Sequence, residues 1–587
     1  MLDNPKSTVT YDHDLALSIE DRVARMGSDG KLVLNTDGEV YQVNLIEKLL
    51  VPLLSKLCNL VVDGGIWMNT QRPEWNDANN ALVGHGLSMV TLYYMRRHIS
   101  LLQQILAGEA SEFELSVEVS EWLEDTTRAF TGIRELLGSG PVSPGQRLES
   151  LKTLGVAASK YQQAVYQDEP FSGKNLQPLD TIHTLLRDSL AVIDHSIKTN
   201  RREDRLYHAY NLMDVQPEGL YVNRLYLMLE GQVAVLSSGA IAHDEACEIL
   251  EALFKSGLYR QDQNSFMLYP DRTLPGFLEK NRLAASDIDA IPLLGSMLSA
   301  GDNRIVECDI EGCYRFNADF RNVDDLNDQL DSMSQQYGDN LQLARKPLQA
   351  LFEKVFSHRM FTGRSGTMFG FEGLGCIYWH MVAKLLLAVQ ENFFTALYSN
   401  TSQETCGQLG QLYYRVSEGL GFNKTPLQYG AIPIYPYSHT PGHAGARQPG
   451  MTGQVKEEVL TRFGELGIRV SNGAVRISPN LLRRREFATE PRNFCFLDVD
   501  GNWRDREVPA NGLAFTWCQV PIIYELDDDV EPSLTITRDN TEQQTSPQLA
   551  LSAEDSSALF QRSGRIRQLK LVFGTRHLLA ETSNGES

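Results

Sequence analysis

Two carboxylates stand beside an indole in the stretch QRPEWNDANNALVGHG, residues 71–86. Glu74 and Asp77 enclose a tryptophan and an asparagine. Cleavage of a glycosidic bond needs a carboxylic acid that protonates the departing oxygen, and an apolar neighbour raises the pKa of such an acid. An indole also provides a platform for the C–H face of a sugar, and asparagine amides bond hydroxyl groups. The stretch therefore fits either a sugar-cleaving site with Asp77 as the acid or, more plainly, the N-cap of a following helix.

A second polar stretch, PYSHTPGHAGARQPGMTGQVKEEV, holds three groups that are or can become cationic: His439, His443 and Arg447. Backbone N–H groups ahead of a helix that begins near Gln454 would complete a site for an anion. The plainer alternative is a structured loop whose histidines cap and pack. We predict no metal here, because a proline and a glycine between the two histidines oppose the helix that would aim both at one ion.

A third stretch, FTGRSGTMFGFEGLGCIYWHM, residues 361–381, contains Arg364 and Glu372 among glycines. It lacks the order of a P-loop, so it fits either close backbone approach to a sugar or phosphate, or tight helix packing. A hydrolytic site would need a carboxylate base, for which Glu372, Glu457 and Glu458 are the candidates. Glutamates early in a helix are also favourable surface residues, because they complement the helix dipole.

Segments with a clear helical pattern flank these stretches. Apolar residues recur every three or four positions in VNLIEKLLVPLLSKLCNLV, GLSMVTLYYMRRHISLLQQIL and HDEACEILEALFKSGLY, which predicts helices across about residues 43–252. Helices return at ARKPLQALFEKVF and CIYWHMVAKLLLAVQENFFTALY. Two short mixtures of aromatic, Asn and polar residues, RLYHAYNLM and YRFNADFRN, fit either sugar subsites or core aromatics with satisfied polar neighbours.

Beyond about Val470 the pattern alternates, and RVSNGAVRISPNLL, FCFLDVDGNWRDREV and GLAFTWCQVPIIYEL predict strands with Gly and Asn-Gly turns. The acidic segment DDDVEPSLTITRDNTEQQTSPQ is predicted to be a loop. We therefore predict a mainly α fold, a helical toroid followed by a C-terminal β-sandwich, with the site on the loops of the toroid. Residues 1–469 would form the helical catalytic region, with a helical insertion at about 108–204, and residues 470–587 the β-rich domain.

Composition narrows the class of partner. The 587 residues carry a formal charge of −21, which opposes binding to nucleic acid or to an anionic membrane. The eight cysteines are dispersed, with no C-x-x-C pair, and predict free thiols in a reducing compartment rather than a zinc site. The N-terminal residues show no signal-peptide pattern and no apolar run approaches the ~18 residues of a membrane span. We expect a cytoplasmic protein.

The stretch PEWNDANN, followed by VGHGLSMVTLYYMRRH, resembles the signature of glycoside hydrolase family 94, the cellobiose and chitobiose phosphorylases. There a D-W-N-D-G-x-N segment lies at the mouth of an (α/α)6 barrel, and its second acid is the general acid. The resemblance implies an (α/α)6-type toroid and makes Asp77 the general acid, although the first acid here is Glu74 and the glycine is Ala78. The predicted substrate-binding residues are Arg72, Glu74, Trp75, Asn76, Asn80, Arg364 and Glu372.

The second stretch resembles a later region of the same family, in which a [ST]-G-T-A-G-W loop and a histidine hold inorganic phosphate. The phosphate ligands that the resemblance implies are His439 or His443, with Thr452, Gly453 and Gln454. Arg447 is added to the predicted phosphate site as the third cationic group of the stretch. Gln454 stands where the family has a threonine, and it still offers a hydrogen-bond donor. The carboxylates of Glu457 and Glu458, which follow closely, oppose an anion.

These features together predict an enzyme that performs inverting phosphorolysis of a β-linked glucoside or glucan oligosaccharide, with inorganic phosphate as co-substrate and no other cofactor. One alternative is an inverting hydrolase with Glu457, Glu458 or Glu372 as base. Another is a non-catalytic sugar-binding or scaffold subunit. The resemblance also extends to the larger β-1,3-glucan phosphorylases and implies that the chain is the C-terminal part of such an enzyme. Its partners would be an oligosaccharide and either a second copy or an N-terminal segment that completes the barrel.

Overall fold

The computed structural model describes residues 11–69, 81–108, 111–166, 171–270, 275–360, 379–399, 401–420 and 452–580, with backbone alone for 379 and 452–455. The chain divides into two compact units. Unit 1 holds the described residues up to 242 and those from 251 to 360, and unit 2 holds residues 243–250 and the described residues from 379 onward. The predicted mainly α composition with a sheet-rich C-terminal region is confirmed, at about 51% helix and 20% strand.

The α-helices of the described residues are, in chain order, α1 (His13–Met26), α2 (Leu45–Leu57), α3 (Met89–Leu106), α4 (Val117–Gly138), α5 (Pro144–Val165), α6 (Leu179–Thr199), α7 (Leu229–Ser237), α8 (His243–Lys255), α9 (Phe277–Lys280), α10 (Ala285–Asp289), α11 (Pro292–Ser299), α12 (Val323–Ser332), α13 (Ser334–Phe356), α14 (Trp379–Tyr398), α15 (Gln403–Ser417), α16 (Thr452–Glu465) and α17 (Ala553–Phe560). None of them is both long and apolar enough to cross a membrane.

The strands follow in the same order: β1 (Leu60–Val61), β2 (Gly65–Trp67), β3 (Gly86–Ser88), β4 (Glu112–Ser116), β5 (Lys174–Pro178), β6 (Tyr210–Gln216), β7 (Gly219–Arg224), β8 (Tyr259–Arg260), β9 (Ser265–Phe266), β10 (Val306–Cys308), β11 (Tyr314–Phe316), β12 (Ile468–Ser471), β13 (Ala474–Ile477), β14 (Arg492–Leu497), β15 (Trp503–Val508), β16 (Gly512–Trp517), β17 (Val520–Leu526), β18 (Ser533–Arg538), β19 (Gln543–Ser546) and β20 (Ile566–Phe573).

Helix starts in unit 1 follow the capping chemistry of the sequence. The Asn44 side chain accepts a hydrogen bond from the N–H of Glu47 ahead of α2, and the Ser88 side chain accepts one from Thr91 ahead of α3. At the start of α5, Ser143 forms a reciprocal capping box with the residue three positions on. These caps satisfy N–H groups that have no partner within the helix.

A five-stranded antiparallel sheet in unit 1 was not predicted. Its strand order is β1-β2-β3-β6-β7. The prediction of helices throughout residues 43–252 is therefore wrong at these strands. The first three span only two or three residues and are buried throughout, so they lack the polar–apolar alternation by which a half-buried strand is recognised.

Residues 275–360 have a hydrophobic core of their own within unit 1. It is built from α10 to α13 and the β10–β11 hairpin. Phe316 of β11 and Phe352 of α13 are fully buried there, with ring centroids 5.1 Å apart in an edge-to-face arrangement. The YRFNADFRN stretch thus supplies core aromatics, as the plainer of its two interpretations has it.

The second five-stranded sheet lies in unit 2, with the order β16-β17-β20-β18-β19. Strands β17 and β20 are parallel and the other neighbours are antiparallel. The prediction of a loop across DDDVEPSLTITRDNTEQQTSPQ is wrong, because this segment contains β18 and β19. Its strand signal is the alternation in SLTITR, where Leu534 and Ile536 are buried between polar neighbours.

Gly467 ends α16 and begins the sheet-rich part of unit 2. Its N–H donates to the carbonyl of Gly464, its φ is +80°, and its carbonyl accepts from the N–H of Ser478. A Cβ at this position would press on the Ser478 carbonyl group at less than 3.0 Å. Both the left-handed backbone and the close approach therefore require glycine here.

Replacement of Gly467 with alanine is expected to lower the free energy of unfolding by about 3 kcal/mol, because left-handed strain and a backbone clash add. Gly473 provides a matched control, since its φ is +73° but no atom lies within 4 Å of its would-be Cβ. Gly473→Ala should cost only about 1 kcal/mol. Urea unfolding of both variants measures the difference, and equal losses would contradict the backbone clash.

Candidate functional site

Most of the residues nominated from the sequence lie outside the described residues: Arg72, Glu74, Trp75, Asn76, Asp77, Asn80, Arg364, Glu372, His439, His443 and Arg447. Thr452, Gly453 and Gln454 are described by their backbone, as the first three residues of α16. Glu457 and Glu458 are described in full. The site is therefore built from the elements that hold the ends of the three polar stretches.

The two ends of the first stretch are anchored to each other by hydrogen bonds. The Met68 N–H donates to the Gly86 carbonyl at 2.9 Å, and the Gly84 N–H donates to the Met68 carbonyl at 2.7 Å. The indole N–H of Trp67 donates to the Gly84 carbonyl at 3.1 Å. The chain thus leaves the sheet after β2 and returns at β3, its antiparallel neighbour. The prediction that residues 71–86 connect two helices is wrong, because they connect two strands.

His85 links these anchored ends to the residues that precede the third stretch. Its Nε2–H donates to the carbonyl of Arg359 at 3.0 Å; a carbonyl only accepts, which fixes the proton on Nε2. The Arg359 guanidinium in turn donates to the carbonyl of Met213 on β6 at 3.2 Å. Arg359, two residues ahead of the Gly-rich stretch in sequence, therefore lies close to the end of the QRPEWNDANNALVGHG stretch.

A buried carboxylate near these anchored ends was not identified from the sequence. Glu230, in the first turn of α7, is 4% exposed and accepts a hydrogen bond from the Tyr210 hydroxyl at 2.7 Å. Tyr210 belongs to an apolar cluster that includes Met68, ahead of the stretch, and Leu82, within its last five residues. The signal in the sequence is a single acid inside the apolar run YLMLEGQVAVL, which is unusual because a buried carboxylate needs specific partners.

The RLYHAYNLM stretch is structural in its described contacts. Burial and the neighbouring guanidinium groups of Arg202 and Arg224 lower the pKa of His208 to about 4. Its Nδ1 lies 3.0 Å from the carbonyl of Leu225. The Asn211 amide donates to the Gly64 carbonyl at 2.7 Å. The neutral, hydrogen-bonded histidine matches the second of the two interpretations of this stretch. The amide is satisfied only at its nitrogen, because Asn211 Oδ1 is buried without a hydrogen-bond partner among the described residues.

In unit 2, helices α14 and α16 pack side by side with the same direction. His380, the second residue of α14, contacts Glu457 near the start of α16, and Gln390 further along α14 donates to the Thr461 carbonyl at 2.7 Å. The chain thus enters both helices at the same end. Residues 361–378 lead directly into α14, and the PYSHTPGHAGARQPGM segment leads directly into α16.

Glu457 is the buried member of the two adjacent glutamates. It is 3% exposed, and its Oε1 lies 3.4 Å from His380 Nε2 and 3.8 Å from Lys456 Nζ. Its Oε2 is buried without a hydrogen-bond partner among the described residues. Burial and the charge of Lys384 hold the pKa of His380 below its usual range, although Glu457 acts in the opposite direction.

Glu458 faces elsewhere, toward a cavity of about 520 Å³. The cavity is lined by Leu386, Tyr414, Ser417, Glu458, Thr461, Arg462, Glu465, Arg483 and Glu486. Arg462 binds Glu465 at 2.5 Å and Glu486 at 2.7 Å, and the Tyr413 hydroxyl donates to Glu465 at 2.6 Å. Paired charges line this cavity, so it offers no concentrated charge of one sign to a ligand.

One group of side chains has the composition of a metal site without its electrostatics. Ligand atoms of Asp309, Glu311 and Cys313 lie within 4.8 Å of one another. The Asp309 carboxylate, however, already accepts from two backbone N–H groups and from Arg315 Nε at 2.9 Å, and Arg282 lies 3.3 Å from the Cys313 sulfur. Two guanidinium groups repel a cation, so these residues make a tight hairpin turn rather than a metal centre.

Residues 274–359 match the family model of the GH149 phosphorylase insertion domain 2. This is the segment whose helices and hairpin share a core of their own. No curated protein matches the chain. The match supports a glycoside phosphorylase related in kind to the family that the motifs resemble, while it does not support the specific assignment to glycoside hydrolase family 94.

Proposed function

We propose that this chain performs inverting phosphorolysis of a β-linked glucoside or glucan oligosaccharide and releases a sugar 1-phosphate. The match of residues 274–359 to a phosphorylase insertion domain carries the proposal. The resemblances around Asp77 and around Thr452 support it, since one would supply an acid and the other an anion site. The catalytic region would be an (α/α)6-type toroid with the three polar stretches at its loops.

The reaction balances with one protein carboxylate. Asp77 gives its proton to the glycosidic oxygen as the bond from that oxygen to the anomeric carbon breaks. Inorganic phosphate forms the new C–O bond from the opposite face, which inverts the configuration to an α-linked phosphate. Phosphate is itself the nucleophile, so no base is needed to activate water. The shortened oligosaccharide leaves with the proton, and Asp77 is reprotonated for the next cycle.

The orientation of Glu457 bears on the main electrostatic objection to this mechanism. A carboxylate close to the first turn of α16 opposes an anion there if its charge is unbalanced. Glu457 instead contacts the imidazole of His380 and lies 3.8 Å from the ammonium of Lys456. The first four N–H groups of a helix have no partner within it and favour an anion. Phosphate bound at the start of α16 is therefore compatible with the carboxylate of Glu457.

A hydrolase is the second candidate, and one observation favours it. The unpartnered Oε2 of Glu457 is an acceptor that could hold and deprotonate a water molecule. An inverting hydrolase would place such a base about 6.5–9.5 Å from the acid, with water between them. In that case Glu457 is indispensable, whereas phosphorolysis needs no carboxylate base.

Phosphate dependence separates the two candidates. The purified chain is incubated with a panel of β-glucan oligosaccharides and β-glucosides, with phosphate or with an equal ionic strength of chloride, and the products are followed by ³¹P and ¹H NMR. We expect an α-configured sugar 1-phosphate that forms only with phosphate. Free reducing sugar at equal rates in both buffers would establish hydrolysis, and oligosaccharide binding without any turnover would establish a non-catalytic subunit.

A further inference from the structure

The starting point is the unsatisfied oxygen of Glu457. A buried acceptor without a donor destabilises the fold, and more so when it is charged. The contacts of this carboxylate with two basic side chains both fall on Oε1, at 3.4 Å from the His380 imidazole and 3.8 Å from the Lys456 ammonium. Oε2 is buried and has no partner in the part of the chain that the structure describes. The carboxylate is thus held through Oε1, and Oε2 remains able to accept a hydrogen bond from a bound ligand.

Helix geometry directs the Glu457 side chain toward the first turn of α16. Side chains in a helix lean toward its N-terminus, so each one covers the turn that precedes its own Cα. Glu457 is three residues after Gln454 and four after Gly453, which puts its carboxylate on the same face as their backbone N–H groups. An acceptor and a set of unpaired N–H donors therefore share one face of the helix start.

Such a combination selects among oxyanions. Backbone N–H groups bind the unprotonated oxygens of any tetrahedral oxyanion, whereas a carboxylate tolerates one only through a hydroxyl that donates to it. Phosphate carries a P–OH group in both forms present near neutral pH, and arsenate carries the equivalent As–OH. Sulfate carries none, so its oxygens would face the carboxylate without a proton between them and be repelled.

We propose that Glu457 Oε2 accepts a hydrogen bond from the P–OH of phosphate bound at the first turn of α16, and thereby selects phosphate over sulfate. The proposal rests on the phosphorolytic function above and adds the residue that sets the specificity of its anion site. His380 is a positioning residue in this proposal, because its contact with Oε1 leaves Oε2 as the oxygen that accepts from the anion. The charged groups around it are Lys384 on its own helix and Lys456 and Glu457 on α16.

Calorimetric titration of the full chain with sodium phosphate and with sodium sulfate tests the proposal without requiring turnover. The wild type should bind phosphate at least tenfold more tightly than sulfate. Glu457→Gln should weaken phosphate binding by about 10- to 100-fold, as expected for a lost hydrogen bond to a charged group, and should strengthen sulfate binding. Glu404→Gln, at an exposed first-turn acid of the neighbouring helix α15, should change neither constant.

Kinetics provide a readout that a merely structural role would not move. In Glu457→Gln the KM for phosphate should rise by the same factor while kcat falls less than tenfold, and sulfate should become a competitive inhibitor. A variant that keeps the wild-type preference for phosphate overturns the proposal, as does a wild type that binds sulfate as tightly as phosphate. The latter measurement needs no variant, so it stands even if Glu457→Gln does not fold.

The failure of this inference is distinguishable from the failure of the proposed function. A phosphate-dependent enzyme whose selectivity ignores Glu457 overturns the inference alone. A wild type that releases no sugar 1-phosphate and binds no phosphate overturns both. Phosphate-independent hydrolysis that disappears in Glu457→Gln overturns both in favour of the hydrolase, with Glu457 as its base.

Discussion

Replacement of Asp77 with asparagine should lower kcat for phosphorolysis of an oligosaccharide by about 10³-fold, the usual contribution of a general acid. Asparagine matches the shape of the acid but has no proton to give, so the KM for the oligosaccharide should change only a few-fold. A 2,4-dinitrophenyl β-glucoside, whose leaving group needs no protonation, should recover most of the lost rate. Initial rates on both substrates measure the difference.

Asp328→Asn is the matched control for this substitution. Asp328 is exposed on α12, away from the three polar stretches in sequence, and its replacement should leave both rates unchanged. Full activity of Asp77→Asn would remove this residue as the acid. An equal loss on the activated and the natural substrate would assign it a binding role instead, because acid catalysis is the step that the activated leaving group bypasses.

The largest loss of stability is expected from Arg147→Met in unit 1. The side chain of Arg147 is only 11% exposed. Its guanidinium donates to the carbonyls of Val62 and Leu220 at 2.8 and 3.0 Å. It also binds the Asp63 carboxylate at 2.9 Å, in the turn between β1 and β2. Methionine fills similar volume but removes the donor to both carbonyls and to Asp63 Oδ2, while Asp63 Oδ1 keeps its contacts with His195 and Thr199. The loss should lower the free energy of unfolding by about 4 kcal/mol.

Arg128→Met supplies the comparison on the preceding helix α4. Arg128 pairs with Asp125 three residues earlier, but its side chain is 73% exposed, so its loss should cost at most about 0.5 kcal/mol. Urea unfolding followed by circular dichroism gives both values, read from the transition of the less stable unit because two units need not unfold together. An Arg147→Met variant with the wild-type midpoint would show that water replaces the guanidinium at no cost.

Helices with long amphipathic repeats could be predicted from the sequence, and short buried strands could not. Helices α2, α3 and α8 lie where apolar spacing predicts them, because each buries one face over several turns. Strands β1 to β3 are held by pairing with partners distant in the chain, as β3 pairs with β6. Such pairing is a property of the fold, and a run of two or three apolar residues does not encode it.

The candidate site likewise has residues that the sequence alone suggests and residues that only the tertiary structure distinguishes. The residue types around Asp77 fit sugar chemistry and also the N-cap of a helix, and the resemblance to a known family is what favours the first. Glu457 and Glu458, by contrast, are equivalent in sequence. Only the packing of α14 against α16 distinguishes them, because it places His380 against one and leaves the other at a cavity. His85 and Arg359 are likewise joined by tertiary contact alone.

The hydrogen bonds that anchor the ends of the first stretch, at Met68, Gly84 and Gly86, have an evolutionary consequence. Two hydrogen bonds and the indole of Trp67 fix the distance between the ends of the connection independently of the residues within it. The entropic cost of closing a flexible connection grows only logarithmically, by about 0.6 kcal/mol for each doubling of its length. Insertions, deletions and exchanges between these anchors therefore cost the sheet little. Under the function proposed above, exchange of this one connection would be a route to a changed substrate preference with an unchanged sheet.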